Sequence, residues 1–168
     1  LVESGPYSIY SRSQPIVLSI AFINQREGNL PLKDKRVRQA LNYAVQRGEM
    51  AEVILSGLAQ PAYQGAVEGT FGYNPDLEPY PYDLDKARDL LNEAGYPDGF
   101  DLRIDVLTNL TPNDSLLYQK MAQDLSRIGV RVELRNILFS SYLRNYVSGN
   151  WGESDAFSLT WNNAPFND

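Results

Sequence analysis

Strand-like and helix-like patterns alternate along this sequence, and their order limits the fold more than any other feature. Residues 15–24 form a nearly continuous, β-branched apolar run that is typical of a central strand. Residues 35–47 then place apolar side chains at helical spacing, with Asp34 expected as the N-cap and Gly48 as the C-cap. This order predicts an α/β fold, in which helices cover a mixed, mostly parallel sheet.

The same alternation continues to the end of the sequence. Asp83 is expected to cap one helix, Thr111 with Pro112 to start another, and Ser140 or Ser141 to cap a third. The strand at 100–106 alternates apolar and charged residues, so it has either one polar face or an edge position. The predicted helices cover 50–56, 84–94, 112–128 and 141–148, and the later strands cover 100–106, 130–134 and 156–161.

One long segment departs from this pattern. Residues 57–82 are rich in proline, glycine and tyrosine, which predicts a long irregular loop within the domain. A connection of this length is usually functional or disordered, and its tyrosines favour order because each ring must pack or be displayed. The whole of 1–168 is long enough for one domain with a real core.

Composition excludes several classes of function. The chain has no cysteine and no histidine, which rules out disulfides, zinc–thiolate sites and Ser-His-Asp or Cys-His catalysis within it. A net charge of −6 argues against binding to nucleic acid or to an anionic membrane surface. No signal peptide or membrane span is recognised, and because the sequence begins at Leu1 we expect a fragment of a longer protein.

The best candidate site follows the last predicted strand. In open α/β sheets, ligands meet the carboxyl ends of strands, which here are Asn24 onward, 108–113, 136–140 and 161–167, so Asn24 is itself a candidate ligand contact. Trp161 would form an apolar wall, with amide donors and acceptors from Asn162 and Asn163. The alternative is a core tryptophan followed by an Asn-rich turn, and Tyr142 likewise faces either the core or a cleft.

Other chemistry has weaker support. The acidic pairs that are close in sequence fall at predicted caps, turns or a polar strand face, so paired-carboxylate catalysis is disfavoured. No glycine-rich phosphate loop is present. The oxygen donors Asn162, Asn163, Asn167 and Asp168 could suit calcium, but their spacing fits no known loop. We therefore expect no metal, no cofactor and no enzymatic activity.

Five stretches together resemble a known family. They are Phe22–Asn24 with Pro31–Leu41 and Ala44–Arg47, Gly57–Ala62, Gly72–Pro75, Tyr82–Phe100, and Leu125–Leu134. In this order they resemble the bacterial extracellular solute-binding proteins of family 5, which are the oligopeptide-, dipeptide- and nickel-binding components of ABC importers. The resemblance implies one lobe of a two-lobed, hinged protein that encloses a small solute.

The resemblance also implies positions for the site. Tyr142 and Ser158 fall where peptide-binding members line the cleft, and the Ser158 position is a cation in some of them. Members often place an acidic residue three positions after the strand-end tryptophan, where this sequence has Ala164. A neutral ligand such as an oligosaccharide therefore becomes an expectation beside a peptide.

The remaining expectations concern the full-length protein. The resemblance implies a monomer in the periplasm or outside the cytoplasm, working with a membrane permease, with lipid anchoring through a missing N-terminus as one option. The alternative is an effector-binding domain of a cytoplasmic transcription regulator with the same fold.

Overall fold

The chain folds as an α/β unit, as the sequence predicts. The computed structural model describes residues 16–25, 27–28, 30–108, 110 and 113–162, with the backbone alone at 16, 30, 161 and 162. Its strands are β1 (Ile16–Phe22), β2 (Asp101–Val106), β3 (Arg131–Asn136) and β4 (Ala156–Asn162). Its helices are α1 (Leu30–Lys33), α2 (Lys35–Ala44), α3 (Arg47–Glu49), α4 (Leu84–Glu93), α5 (Asp114–Ser126) and α6 (Phe139–Ser148). A π-helical turn, Met50–Ile54, continues α3.

The sheet is mixed, with the strand order β1-β4-β2-β3. β2 pairs in parallel with both β3 and β4, whereas β4 pairs antiparallel with β1. β2 is therefore central, and its charged face does not mark an edge strand. β1 lies at one edge of the sheet within the described residues, so the prediction of a central strand is wrong there.

Helices cover both faces of the sheet. On one face, α2, α4 and α5 pack a core that includes Leu102, Ile104 and Val106 of β2. On the other face, α6 lies against β4 through Tyr142, Tyr146 and Phe157. Because side chains alternate along a strand, consecutive residues of β4 serve these two different layers. No helix among the described residues combines the length and apolar character that crossing a bilayer requires.

Two of the predicted helix caps are confirmed. The Asp34 side chain accepts a 2.8 Å hydrogen bond from the Arg36 amide, and Asp83 accepts one of the same length from Lys86. Both satisfy amides that have no partner inside the helix. Gly48, however, does not cap α2. That helix ends at Ala44 because Val45 is extended (φ −94°, ψ 120°), and Gly48 lies within α3.

The starts of α5 and α6 also differ from prediction. α5 begins at Asp114, after Asn113 in the left-handed region (φ +63°); Thr111 and Pro112 lie outside the described residues. α6 begins at Phe139, so Ser140 and Ser141 lie within its first turn and neither is the cap. The extended backbone of Leu138 (φ −67°, ψ 145°) occupies the cap position without a side-chain acceptor. The backbone at Leu138 thus set the start of α6 against side-chain preference.

The long segment between Ile54 and Leu84 contains turns but no helix or strand. Reciprocal hydrogen bonds of 2.9 Å join the Gln64 side chain to the main chain of Asn74. Near its end, the Tyr80 ring packs edge-to-face on Tyr43 of α2, with 5.1 Å between ring centres. These contacts hold the segment at two points along its length.

Candidate functional site

The carboxyl ends of β2 and β4 point to the same edge of the sheet, called the carboxyl edge here, and β4 continues to Asn162, beyond the end of β2 at Val106. The two strands run parallel, with Asp105 of β2 opposite Phe157 of β4. β3 is parallel to β2 and ends at the same edge, where Val106 pairs with Asn136. The loops that follow β2 and β3 therefore begin together, at the place where open α/β sheets meet their ligands.

Two of the predicted site residues lie at the carboxyl edge. Trp161 and Asn162 are the last residues of β4, paired with Val17 and Ile16. Asn163 lies outside the described residues. Asn24 is not brought to the same place. β1 runs antiparallel and its end at Phe22 pairs with Ala156, so Asn24 follows at the opposite edge, and the expectation that it joins Trp161 is wrong.

Ser158 ties the two parallel strands together near the carboxyl edge. Its side chain is 3% exposed, and its hydroxyl oxygen accepts a 3.0 Å hydrogen bond from the main-chain amide of Leu107. Leu107 directly follows the last residue of β2. A side chain thus satisfies a buried amide at the point where the strand ends.

Tyr118 of α5 lies close to Ser158. The ring is 3% exposed, and the phenol oxygen is a buried polar atom with no hydrogen-bond partner among the described residues. Burial raises the pKa of the Tyr118 phenol. The Ser158 hydroxyl partly offsets this shift, although the two oxygens do not reach hydrogen-bonding geometry. The phenol is therefore neutral at physiological pH, and its donor is unused.

Asp114 is the first residue of α5 and lies near Tyr118. The carboxylate is 3% exposed and accepts hydrogen bonds from the amides of Leu110 (2.8 Å) and Ser115 (2.7 Å). Negative charge at a helix N-terminus is favourable, because the first amides of the helix point toward it. Asp114 therefore fixes the loop after β2 onto α5.

Tyr142 reaches the same strand from the opposite layer. Its hydroxyl donates a 2.8 Å hydrogen bond to the main-chain oxygen of Ser158. Its ring packs edge-to-face on Trp151, with 5.3 Å between ring centres. Burial raises the pKa of the Tyr142 hydroxyl, and the nearby phenols of Tyr146 and Tyr118 raise it further. The hydroxyl is therefore protonated at neutral pH and acts as a donor.

An aromatic cluster behind Tyr142 was missed by sequence reasoning. Trp151 stacks on Phe157 of β4 with ring centres 3.9 Å apart and planes 6° apart, and Tyr146 completes the group. The signal was present, since Trp151 is one of only two tryptophans and stands near the end of α6. The cluster fixes the position of α6 against β4 and so orients Tyr142.

Exposed apolar residues flank the carboxyl edge and were also missed. Leu138 and Phe139 follow β3 and are 74% and 62% exposed, and Leu110, which follows β2, is 50% exposed. Leu110 and Leu138 lie in loops and Phe139 begins α6, so no run of helical or strand spacing drew attention to them. A group of exposed apolar residues of this kind is typical of an interaction surface.

A buried ion pair supports the carboxyl edge from the α6 layer. Asp105 is 1% exposed and accepts a 2.8 Å hydrogen bond from Arg135 on β3. Arg135 also donates to the Ser154 hydroxyl at 2.6 Å, just before β4. The pair therefore connects three successive parts of the sheet. No group of three or more acidic, histidine or cysteine side chains that could hold a metal occurs within the described ranges, and Asn167 and Asp168 lie outside them.

The arrangement offers neutral hydrogen-bonding groups and aromatic surface, which suits binding. Comparison with known families matches residues 2–168 to the middle region of the bacterial extracellular solute-binding proteins, family 5. The chain belongs to this family. Its members are extracellular by the family's description, and the residues that carried the resemblance all lie inside the match.

Individual relatives agree with this assignment. The chain is 38% identical over 113 residues to the glutathione-binding protein GsiB of Salmonella typhimurium, covering 67% of this chain and 22% of that protein. It is 31% identical over 135 residues to heme-binding protein A of Haemophilus influenzae, covering 79% of this chain and 25% of that one. The periplasmic binding protein DppA of Helicobacter pylori, solved with the peptide STSA, superposes with a TM-score of 0.75 at 26% identity. That superposition covers 90% of this chain and 28% of DppA.

These relatives are binding proteins rather than enzymes by name, and the chain spans about a quarter of their length or less.

Proposed function

We propose that the chain is one lobe of the solute-binding component of an ABC importer, and that the solute lies against the carboxyl edge. The observation that carries this proposal is the family match over residues 2–168, which gives the class of protein. The meeting of β2, β3 and β4 at one edge supports the place. A second lobe would close over this edge and exclude water from the solute.

We propose two different roles for the predicted site residues. Tyr142, with Trp161, Asn162 and Asn163, would face the solute. Ser158 would hold the edge together from below, because its hydroxyl is buried and bonded to Leu107. Where members of the family often place an acidic residue after the strand-end tryptophan, this sequence has Ala164. We therefore propose a solute that is uncharged where it meets this lobe, either the middle of a peptide or an oligosaccharide.

The same proposal covers the setting of the full-length protein. It would act outside the cytoplasm as a monomer, deliver its solute to a membrane permease, and catalyse no reaction; a lipid anchor would hold it at the membrane. The alternative of an effector-binding domain in a transcription regulator finds no support among these relatives, because all three are named as binding proteins.

Native mass spectrometry of the full-length protein, purified from its own host, tests this function directly. We expect a small solute to stay bound under gentle ionisation and to leave on activation, and its mass to fit a peptide or an oligosaccharide. Calorimetry with the identified solute then measures its affinity. A full-length protein that carries a DNA-binding domain, or that turns its solute over into product, would contradict the proposal.

A further inference from the structure

An open apolar groove runs along β1 on the α5 face of the sheet, far larger than a packing defect. It encloses about 660 Å³ between β1, the end of α2, the π-helical turn, the 59–65 segment and α5. Its apolar lining includes Leu18, Ile20, Phe22, Met50 and Met121. A groove of this size in a folded domain is a place for a ligand or for another part of a protein.

The position of β1 makes this groove unusual. The strand is apolar at nearly every position, which is typical of strands buried on both faces. Within the described sheet it nevertheless lies at the edge, with β4 on one side only. Leu18, Ile20 and Phe22 touch the core yet remain partly exposed to the groove. The sequence of β1 is thus typical of a strand that is buried more completely than the described residues bury it.

Arg47 indicates which charge an occupant of the groove should carry. Its guanidinium is half-buried at the groove and donates to the main-chain oxygen (2.9 Å) and side-chain oxygen (2.6 Å) of Asn42. No carboxylate within the described ranges lies close enough to form an ion pair with it. Burial lowers the pKa of Arg47, and the nearby Tyr63 phenol opposes that shift. A half-buried cation without an acidic partner is costly, and an incoming carboxylate would relieve this cost.

We propose that this groove docks a segment of the same polypeptide that lies beyond these 168 residues. The segment packs apolar side chains along β1 and places an Asp or Glu carboxylate against Arg47. Two observations select this occupant. About three quarters of the length of the relatives has no counterpart in this chain. Arg47 also has no carboxylate partner among the residues that the structure describes, although the net charge of the chain is −6, so charge complementarity favours an acidic segment.

Thiol labelling of the full-length protein tests the docking. The 168 residues contain no cysteine, so a Met50→Cys label in the groove can be assigned by peptide mapping. Ile54→Cys is the control, on the same π-helical turn, half-buried like Met50 and outside the groove. We expect Met50→Cys to react with a maleimide roughly tenfold more slowly than Ile54→Cys, because the docked segment must open first. Equal rates would overturn the proposal.

A zero-length cross-link identifies the occupant. Arg47→Lys keeps the positive charge and adds an amine that a carbodiimide joins to a touching carboxylate. We expect the peptide containing position 47 to be linked, within one polypeptide, to an acidic peptide from outside residues 1–168. Arg47→Gln is the control and should give no such product. A link between two copies, or none at position 47, would overturn the assigned occupant. Solute binding by the same variants is measured separately, so a failure of the proposed function would not be mistaken for a failure of docking.

Discussion

The hydroxyl of Tyr142 donates a 2.8 Å hydrogen bond to the main-chain oxygen of Ser158, while the Ser158 hydroxyl accepts one of 3.0 Å from the amide of Leu107. One residue of β4 is therefore held both by α6 and by the end of the neighbouring strand β2. The contact orients Tyr142 and limits movement of the strand that ends in Trp161 and Asn162. This relationship links the stability of the fold to the geometry of the proposed site.

The first prediction concerns Tyr142. Tyr142→Phe keeps the ring in its aromatic cluster but removes the donor to Ser158, so we expect the free energy of unfolding to fall by about 0.5–1.5 kcal/mol. Urea denaturation followed by tryptophan fluorescence measures this change. Tyr146→Phe is the control, because the Tyr146 ring contributes packing and is 49% exposed. An equal loss in both variants would show that the hydrogen bond to Ser158 does not stabilise the fold.

The second prediction concerns the Ser158 side chain. Ser158→Ala leaves the amide of Leu107 buried without an acceptor, and we expect a loss of about 1–3 kcal/mol in the free energy of unfolding. Ser140→Ala, at an exposed serine on α6, should change it by less than about 0.5 kcal/mol. Urea denaturation of both variants makes the comparison. A neutral Ser158→Ala would mean that another acceptor, such as water, reaches Leu107.

Local patterns predicted the elements well where a short stretch decides the structure. The buried positions of α2 recur at helical spacing, and Asp34 and Asp83 cap their helices, because each cap depends only on the next few residues. The start of α6 was wrong for the opposite reason. Serine is a better cap than leucine by type, but the extended backbone of Leu138 decides where the helix begins.

Strand direction could not be read from local patterns. A parallel and an antiparallel strand share the same two-residue period, so nothing in 16–24 showed that β1 runs against β4. Because β1 is antiparallel to β4, Asn24 lies at the edge of the sheet opposite the carboxyl edge. The aromatic cluster of Trp151, Phe157 and Tyr146 was equally hidden, because it joins residues from a loop, a strand and a helix. The main chain of Trp161 lies near the end of a strand parallel to β2, as the pattern predicts, and its part in a binding site stays a prediction.

The third prediction concerns the unused donor of Tyr118. Tyr118→Phe removes a buried hydroxyl that has no partner among the described residues, so the free energy of unfolding at pH 7 should stay the same or rise by up to about 1 kcal/mol. Urea denaturation at neutral pH measures it. A loss of more than about 1 kcal/mol would show that the hydroxyl has a structural partner, and Ser158 would be the first candidate.

The raised pKa of Tyr118 also predicts a dependence on pH. The unfolded chain releases this proton near the ordinary value of 10.0, whereas the folded protein holds it to higher pH because the phenol is buried. Between those two values the unfolded state binds fewer protons, so stability falls as pH rises above about 10. Tyr118→Phe has no phenol to titrate, so its stability lacks this contribution to the loss at high pH. The free energies of unfolding of the wild type and the variant should therefore differ by more at pH 10.5 than at pH 7. An unchanged difference would contradict the burial of the phenol.

The fourth prediction compares two ion pairs. Asp124 is fully buried and accepts hydrogen bonds from Lys120 (2.6 Å) and from the amide of Gln46 (3.1 Å). Asp124→Ala leaves the Gln46 amide without its acceptor and leaves Lys120 with Glu49 alone (2.7 Å), so we expect a loss of about 1–3 kcal/mol in the free energy of unfolding. Asp85→Ala breaks the exposed pair with Arg88 and should cost less than about 1 kcal/mol. Chemical denaturation measures the loss in the free energy of unfolding for each variant. Similar losses would contradict the expectation that the buried carboxylate contributes more than the exposed one.

The fifth prediction tests the proposed site at the end of β4. If Trp161 forms an apolar wall for the solute, Trp161→Ala in the full-length protein should weaken binding by about 1–3 kcal/mol, which is roughly 5- to 150-fold in Kd. Calorimetry with the solute identified by mass spectrometry measures this loss. Phe71→Ala removes a fully exposed ring from the long loop and should leave Kd unchanged. Unfolding is followed in parallel, because a variant that binds weakly but remains as stable as the wild type has lost a contact rather than the fold. An undiminished affinity in Trp161→Ala would remove this residue from the site and shift the search to Tyr142 and the exposed apolar residues that follow β3.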